Sequence, residues 1–328
     1  MSSRAAQLLA KTICWDNHAC MPHRQEPEWM EQLQAHKDVG VDVVSLNLGD
    51  ADVSFETQLA MAAHFSEWVK SHSEAYQLAY TVADIHTARA SQKLAIIFDV
   101  EGGKALDGDL RRIETCKQLG VAWMALVFNR ANGIGGGVHD ETDHGLTAFG
   151  RDVVQALEET GIMVCCSHTG YKTAEDVLGV ATKPVIFSHS NAKALHDHPR
   201  NIPDDLIKGC AASGGVVGVN GLSIFLGGKD RMPERFVDHI EHIAGVAGTA
   251  HVSIGLDYVF DQDDMDAQLA AARGTWPQGY GYEPGIKYLG PDIFPCVADI
   301  LLSRGWADEA IKGVLGENLM HVAEVAWS

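Results

Sequence analysis

The sequence is poor in positive charge. It holds 25 lysine and arginine residues against 44 aspartate and glutamate residues, which gives a formal net charge of −19. Nucleic-acid phosphates and anionic membrane surfaces are bound by clustered basic side chains, so this balance argues against both as partners. An acidic surface favours solubility and says little about fold. We therefore expect the partner to be a small-molecule substrate.

Long apolar runs are also missing. No stretch approaches the 18 or more apolar residues of a membrane helix, and residues 1–10 lack the apolar core of a secretory signal. We accordingly expect a cytoplasmic protein. The seven cysteines are scattered and form no CxxC pair, which argues against a disulfide framework. A glycine-rich stretch at 133–137 is not followed directly by a helix, so we interpret it as a flexible loop and not a phosphate cradle.

Short apolar runs rich in β-branched residues alternate with longer amphipathic segments along the whole chain. This alternation is typical of βαβ units and a parallel sheet. The predicted strands span 12–18, 41–48, 94–101, 121–129, 162–168, 184–189, 214–220 and 251–257. The predicted helices span 27–39, 74–93, 110–119, 146–160, 203–212, 233–246, 291–304 and 307–326.

Eight strands with intervening helices predict a (β/α)₈ TIM barrel of the metal-dependent hydrolase type. We expect a single domain over residues 1–328, with the C-terminal helices packing on the barrel. An open, doubly wound sheet is the alternative, although its glycine-rich phosphate fingerprint is missing.

Ionisable or metal-binding side chains stand at the ends of five predicted strands. The side chains are His18 with Cys20, Glu101, His168, His189 and Asp257. In a barrel the carboxyl ends of the strands meet on one face, where active sites lie. Imidazole and carboxylate are both ligands for zinc. Any one of the 16 histidines alone is more often structural than a ligand; the combination predicts a metal site.

Three other polar groups give no site prediction. His196 and His198 fall in a turn, which we expect to be a solvated loop. His239 and His242 lie three residues apart on a predicted helix, as on a surface face. The acidic run 261–264 lacks the glycine and the closing glutamate of an EF-hand loop.

Several stretches in order resemble one family. They are 100–103, 145–150, 167–168, 184–190, 199–205 and 316–319. On these residues the chain resembles the membrane (renal) dipeptidase family of zinc metallopeptidases, in the amidohydrolase-like barrel superfamily. The resemblance extends over nearly the whole chain.

The resemblance implies a site with two zinc ions. Glu101 would bridge the ions, His18 would bind the first, and His168 with His189 would bind the second. It also implies that a metal-bound hydroxide attacks the amide carbonyl of a dipeptide.

Two further roles follow from the same resemblance. Asp257 would act together with Glu101 in catalysis, by orienting the hydroxide and passing a proton to the leaving amine. Arg200 would bind the terminal carboxylate of the substrate, which suits the planar guanidinium fork.

The chain departs from the family on its first strand. The family motif is His-x-Asp, and here Cys20 stands in place of the aspartate. Residues two apart on a strand face the same way, so Cys20 can still point at the metal, and a thiolate binds zinc. The alternative is an inert thiol beside a site with one zinc, held by Glu101, His168 and His189.

A second departure is on the fourth strand, where the family has a histidine thought to bind substrate. This strand ends in 127–130 instead, and Asn129 is our candidate substrate-binding residue, as a donor to the developing oxyanion. The aromatic segment 276–288 is interpreted as a pocket lid, or alternatively as an oligomer contact, for example in a homodimer.

The expected activity is hydrolysis of the amide bond of a dipeptide or a similar small amide that carries a carboxylate. Two alternatives stay open. One is a related amidohydrolase that acts on an N-acyl amino acid, a cyclic amide or a lactone. The other is a catalytically silent barrel that binds a small molecule.

Overall fold

The structure is a computed structural model, and it describes residues 2–50, 53–271 and 274–327. Its strands are β1 (Trp15–Cys20), β2 (Val43–Asn47), β3 (Tyr76–Leu78), β4 (Leu94–Glu101), β5 (Val121–Ala125), β6 (Met163–Cys165), β7 (Val185–Ile186), β8 (Val217–Val219), β9 (Val252–Ile254) and β10 (Tyr258–Val259).

The helices of the described residues surround and follow these strands. They are α1 (Ser3–Lys11), α2 (Pro27–Glu31), α3 (Gln34–Asp38), α4 (Phe55–Ser71), α5 (Val82–Ala90), α6 (Arg111–Leu119), α7 (Ala148–Thr160), α8 (Tyr171–Val180), α9 (Asp204–Ala212), α10 (Ser223–Leu226), α11 (Met232–Ala247), α12 (Gln262–Ala271), α13 (Ile293–Ser303), α14 (Asp308–Lys312) and α15 (Asn318–Ala326). In this part of the chain no helix has the length and apolar character needed to cross a membrane.

The strands form a closed, parallel barrel. The main sheet runs in the order β10-β1-β2-β4-β5-β6-β7, and β8 pairs with β9. A parallel bridge from Phe187 to Val217 connects β7 to β8, and residues 255–257 carry the chain from β9 to β10 beside β1. The predicted (β/α)₈ barrel is therefore confirmed, and the open sheet is excluded. The eight predicted strands correspond to β1, β2 and β4 to β9.

The predicted helix 74–93 is wrong in its first half. Residues Tyr76–Leu78 form β3, which pairs with the beginning of β4, and the helix is confined to α5. The helix begins late because Thr81 and Asp84 form a capping box at its start. The burial of Tyr76 and the capping box at Thr81 therefore determine where the strand ends and the helix begins, although the amphipathic pattern extends through both elements.

Two other predicted helices are interrupted. The segment predicted as 27–39 divides into α2 and α3. The segment predicted as 307–326 divides into α14, a π-helical turn at Gly313–Glu317, and α15. At Gly316 a Cβ would lie 2.3 Å from the carbonyl oxygen of Ile13, so only glycine lets the C-terminal helices approach β1 this closely.

Strand β4 shows how the barrel places polar groups at its rim. Its residues alternate between two cores: the even positions 94–100 pack in the outer core, and Ala95 and Ile97 face the inner one. The same alternation continues to Asp99 and Glu101, which puts both carboxylates on the inward side at the carboxyl end. The buried apolar floor below them excludes water from the base of the site.

Asp16 connects β1 to its neighbours around the closure of the barrel. Its Oδ1 accepts from the backbone N–H of Leu256 at 2.9 Å and from that of His18 at 3.4 Å. Its Oδ2 lies 3.2 Å from Nε2 of His36, and both side chains are fully buried. A single carboxylate therefore satisfies three polar groups from separate elements.

We predict that Asp16→Ala lowers the free energy of unfolding by about 3 kcal/mol, because it leaves buried donors without an acceptor. Urea denaturation measures the change. Asp38→Ala, on an exposed helix face, is the matched control and should change stability by less than about 0.5 kcal/mol. Equal effects of the two substitutions would contradict the role given to Asp16.

Candidate metal centre

The rim of the barrel brings six of the predicted site residues into one cluster. Five of them are at least nine-tenths buried and Cys20 is partly exposed; the six are His18, Cys20, Glu101, His168, His189 and Asp257. The prediction that these distant parts of the chain meet at one place agrees with the structure.

One half of the cluster contains His168, His189 and Glu101. Nε2 of each imidazole lies 3.0 Å from Oε1 of Glu101, and the two Nε2 atoms are 2.9 Å apart. The three potential ligand atoms fall within 4.8 Å of one another, which is a spacing that one metal ion can bridge.

The other half contains His18, Cys20, Glu101 and Asp257. Nε2 of His18 lies 3.4 Å from Oε2 of Glu101, 3.5 Å from Sγ of Cys20 and 3.5 Å from Oδ1 of Asp257. Sγ of Cys20 is 2.9 Å from Oδ1 of Asp257. Cys20 thus points into the cluster, and Glu101 offers one oxygen to each half.

Each imidazole is held from behind through Nδ1. Nδ1 of His18 lies 3.3 Å from Oδ2 of the buried Asp99, which also accepts from Oγ of Ser45 at 2.6 Å. A carboxylate only accepts, so Nδ1 of His18 carries the proton and Nε2 faces the cluster with its lone pair. This is the arrangement that orients histidine ligands at metal sites.

The second pair of histidines follows the same pattern. Nδ1 of His168 lies 2.7 Å from Oδ1 of Asn129, and Nδ1 of His189 lies 2.7 Å from Oγ of Ser188. An amide oxygen accepts, and a hydroxyl oxygen can accept, from an imidazole N–H. Nε2 of each ring is then left with a lone pair directed at Glu101.

The donor set fits a cation. Two imidazole lone pairs and one carboxylate oxygen face each other within about 3 Å, and no donor of the described residues hydrogen-bonds to Oε1 of Glu101. Acceptors crowded together in this way repel one another unless a positive charge lies between them. Nitrogen and oxygen donors of this kind suit zinc.

The pKa shifts of Glu101, His168 and His189 agree with a cation between these side chains. Burial alone would disfavour the charge on Glu101, but the three surrounding imidazoles outweigh burial and hold its pKa well below the ordinary range. Burial and the charge of Arg200 hold the pKa of His168 well below its usual value. Burial and then His18 lower the pKa of His189. An ionised carboxylate and neutral imidazoles are the forms that bind metal, and Glu101, His168 and His189 have them. At His18 burial works against the charged ring, but the carboxylates of Glu101 and Asp99 outweigh burial and raise its pKa well above the ordinary value.

Three residues of the centre have left-handed backbone conformations. Their φ angles are 55° for Asn129, 67° for His168 and 59° for Asp257. Residues other than glycine seldom adopt this conformation, and outliers of this kind cluster at functional sites. Here the turn at each strand end directs the side chain across the rim.

Arg200 reaches the centre from the loop before α9. Its side chain is buried, and Nη2 donates to Nε2 of His168 at 3.1 Å and to the carbonyl oxygen of His189 at 3.2 Å. Its Nε has no hydrogen-bond partner among the described residues. A buried guanidinium with unused donors beside the cluster suits an anionic group.

Asn129 lies behind His168 and orients its ring. Its Nδ2 has no hydrogen-bond partner in the described part of the chain, so a contact with substrate stays a prediction. Phe128 stacks on His168 with ring centroids 4.3 Å apart.

The glycine-rich loop 133–137 packs tightly against this part of the site, since a Cβ at Gly137 would lie 2.3 Å from the backbone of Asn129. These glycines therefore have a packing role that our interpretation as a flexible loop missed.

The segment 276–288 covers the cluster, as the lid interpretation predicts. Trp276, Tyr282 and Ile286 line a pocket with about 440 Å³ of empty space that also contains Glu101 and Arg200. The alternative interpretation of this segment, as an oligomer contact, stays a prediction.

Some residues were missed or misplaced by sequence reasoning. Asn220 donates to Oδ2 of Asp257 at 2.8 Å, and no sequence pattern indicated this role. Asp99 was also missed, although it lies two residues before Glu101 on the same strand, so we could have inferred that both side chains lie on the same face. His198 is buried and Nε2 lies 3.0 Å from the carbonyl oxygen of Tyr280, so the solvated-loop expectation is wrong for it. His239 is also buried and accepts from the N–H of Ala192, contrary to a surface face.

A parallel barrel with a carboxylate shared between groups of histidines at its rim defines a class of metal-dependent hydrolases. Residues 3–268 match the model of the membrane dipeptidase family, peptidase family M19. The chain belongs to this family, and it is an enzyme of the metallo-dipeptidase class. The resemblance inferred from sequence motifs is thereby confirmed, and the alternative of a silent binding barrel loses its support.

Individual relatives of the chain support the family assignment. Dipeptidase 3 of Macaca fascicularis is 28% identical over 98% of this chain and 67% of its own length. An uncharacterised dipeptidase of Schizosaccharomyces pombe is 35% identical over 71% of this chain and 53% of its own length. The structure of an amidohydrolase from Pseudomonas aeruginosa matches with a TM-score of 0.88 at 25% identity, over 98% of this chain and 99% of that chain.

A further solved structure shares the fold. It is a metallo peptidase from Rhodobacter sphaeroides liganded with a phosphinate mimic of the dipeptide L-Ala-D-Ala. It matches with a TM-score of 0.79 at 21% identity, over 96% of this chain and 100% of that chain.

We predict that Asn129→Leu weakens zinc binding about 10-fold to 100-fold, because the His168 ring loses the acceptor that orients it. Competition with a chromogenic chelator measures the affinity. Asn132→Leu, which removes an amide from the same loop without touching a histidine, is the control for loop damage. Unchanged zinc affinity in a folded Asn129→Leu protein would show that this contact is not needed.

Proposed function

We propose that the protein is a zinc-dependent dipeptidase in which Glu101 is shared by two metal positions. The observation that carries the proposal is the arrangement of Glu101, with one oxygen facing His168 and His189 and the other facing His18. A carboxylate placed in this way would be able to hold two metal ions, one through each oxygen. Cys20 would complete the first position in place of a carboxylate.

The ligands divide between the two positions by distance. His168 and His189 would hold one ion together with Glu101, and His18 and Cys20 would hold the other. Bound zinc supplies a strong nucleophile at neutral pH and polarises a carbonyl oxygen as a Lewis acid. A thiolate would make the first position more selective for zinc than an aspartate does.

Arg200 would limit the substrate to one residue on the carboxyl side of the scissile bond. Nη2 lies 3.1 Å from Nε2 of His168, so a carboxylate bound by this guanidinium lies beside the ligand cluster. One residue spans about 3.5 Å. There is room for one residue between the scissile carbonyl and the carboxylate, so the leaving group is a single amino acid, as in a dipeptide. Nε2 of His168 has a single lone pair, so a ligand role for this nitrogen frees the guanidinium for the substrate.

Asp257 would carry the proton in this mechanism. Oδ2 is held by Asn220 at 2.8 Å, which fixes the carboxylate, and Oδ1 faces His18 and Cys20 across the cluster. From there it can accept a proton from the attacking water and return it to the leaving amine. The left-handed backbone at Asp257 directs the side chain to this point.

We predict that the purified protein contains zinc and hydrolyses Ala-Leu, and that a chelator abolishes turnover. Glu101→Gln should lower kcat at least about 10³-fold, because it removes the charge that balances the ions. Both the rate of dipeptide hydrolysis and the zinc content of the variant are measured. Full activity of Glu101→Gln, or of metal-free protein, would contradict the mechanism.

Arg200 gives a separate prediction. Arg200→Ala should reduce kcat/KM for Ala-Leu by about 10²-fold, since the charge-assisted pair with the carboxylate is lost, while the amide Ala-Leu-NH₂ should be nearly unaffected by the substitution. Wild type should prefer the acid to its amide. If N-acetyl-leucine or a lactone is hydrolysed and dipeptides are not, the related amidohydrolase activity replaces this proposal.

Cys20→Asp tests the first position. We predict two zinc equivalents per chain in both wild type and Cys20→Asp by elemental analysis, because thiolate and carboxylate are both competent ligands. Cys20→Ala should lose one equivalent. One equivalent in wild type and two in Cys20→Asp would show that the thiol leaves the first position empty.

A further inference from the structure

An apolar chamber opens directly onto the metal centre. Its walls are Leu222, Ile224, Phe225, Leu269, Tyr282 and Ile286. The buried members form a hydrophobic cluster separate from the two clusters of the barrel. The chamber is built from three segments beyond the strands: α10, α12 and the lid.

The chamber is continuous with the groups that would act on substrate. The same pocket is lined by Glu101, His168, Arg200 and Asp257. Outside these groups and Cys20, every described residue that lines it is aliphatic, aromatic or methionine. The hydroxyl of Tyr282 is already engaged, 2.9 Å from Nε2 of His139. Apart from Arg200, which the terminal carboxylate of the substrate would occupy, no described cationic group of this lining is available to pair with a negative charge in the chamber.

The opposite side of the centre has a different chemistry. A second pocket shares Cys20, Glu101, Phe128, Met265 and Trp276 with the first. Its remaining walls are mostly polar, and they include His23, Asn47, Asp261, Asp264 and Gln268. The cleft thus has one apolar end and one polar, acidic end, with the metal ligands between them.

Arg200 decides which end of a dipeptide enters the chamber. It lines the apolar pocket and not the polar one. A dipeptide whose carboxylate pairs with Arg200 and whose carbonyl lies at Glu101 and His168 has its carboxyl-terminal Cα between these points. The side chain on that Cα then has the apolar walls as its surroundings. The amino-terminal residue extends toward the polar end, whose hydrogen-bonding groups suit its ammonium group better than the apolar walls do.

We propose that the chamber selects dipeptides with an aliphatic side chain on the carboxyl-terminal residue. This inference rests on the proposed dipeptidase function and names its substrate class. Each methylene that is buried in an apolar pocket adds about fourfold to kcat/KM, and a carboxylate buried without a partner is strongly disfavoured.

The experiment compares Ala-Leu, Ala-Gly and Ala-Asp as substrates of the zinc-loaded protein. We expect kcat/KM for Ala-Leu to exceed that for Ala-Gly by about 10²-fold, and Ala-Asp to be the poorest of the three. The reversed peptide Leu-Ala should be a worse substrate than Ala-Leu, because its apolar side chain faces the polar end.

Ile224→Lys tests the wall itself, since this half-buried residue at the chamber can be changed without opening the barrel core. The ratio of kcat/KM for Ala-Leu to that for Ala-Asp should fall at least tenfold. Ile224→Val, the matched control, should change this ratio less than threefold. Met265→Lys on α12 is the second variant if Ile224→Lys does not fold.

The outcomes separate the two proposals. Hydrolysis of all three peptides within threefold of one another, or an unchanged ratio in folded Ile224→Lys and Met265→Lys, would overturn the chamber assignment and leave the dipeptidase proposal intact. Failure to hydrolyse any dipeptide with zinc bound would overturn the proposed function instead.

Discussion

The structure of the site depends on one buried carboxylate. Glu101 lies among three imidazoles, each of which is held through Nδ1 so that its other nitrogen faces inward. Burial works against a charge on Glu101, and the imidazoles around it hold its pKa low. On the side of His168 and His189, whose pKa values are lowered, a cation between the two rings and Glu101 offsets the repulsion between their lone pairs and the carboxylate. The surrounding architecture serves to keep those atoms in place.

The barrel strands and the residues behind the ligands hold the site rigidly in place. Inward positions of β4 are apolar until Asp99 and Glu101, so the carboxylates stand on a packed floor. Asp16 ties the first strand to the last, and Asn129 and Asp257 turn sharply in left-handed conformations at the strand ends. A site on strand ends keeps its geometry better than a site on loops, while the loops above remain available to set specificity.

Much of this could be predicted from the sequence, for physical reasons. Strands and turns leave a local pattern, and in a parallel barrel the ends of the strands must meet, so His18, Glu101, His168, His189 and Asp257 were predictable as a group. Arg200 came from family resemblance, because nothing local in the sequence places it over the barrel. The lid was inferred from an aromatic segment that follows the eighth predicted strand.

The rest depended on contacts that no local pattern encodes. β3 was hidden inside an amphipathic run, and its pairing with β4 is a tertiary preference. His198 and His239 were expected to be exposed to solvent, because their hydrogen-bond partners are distant in sequence. These partners are the carbonyl of Tyr280 and the N–H of Ala192. The orientation of Asn129 toward His168 likewise needed the fold, since it depends on a backbone turn and a neighbouring strand.

The central claim is that Glu101 is a metal ligand shared between two positions. A crystal structure of the zinc-loaded protein, with diffraction data collected at the zinc absorption edge, tests it most directly. The account predicts an anomalous peak about 2.0–2.1 Å from Nε2 of both His168 and His189, and a second peak beside His18 and Cys20, with one Glu101 oxygen near each. Peaks that lie elsewhere, or none within coordination distance of Glu101, would contradict it.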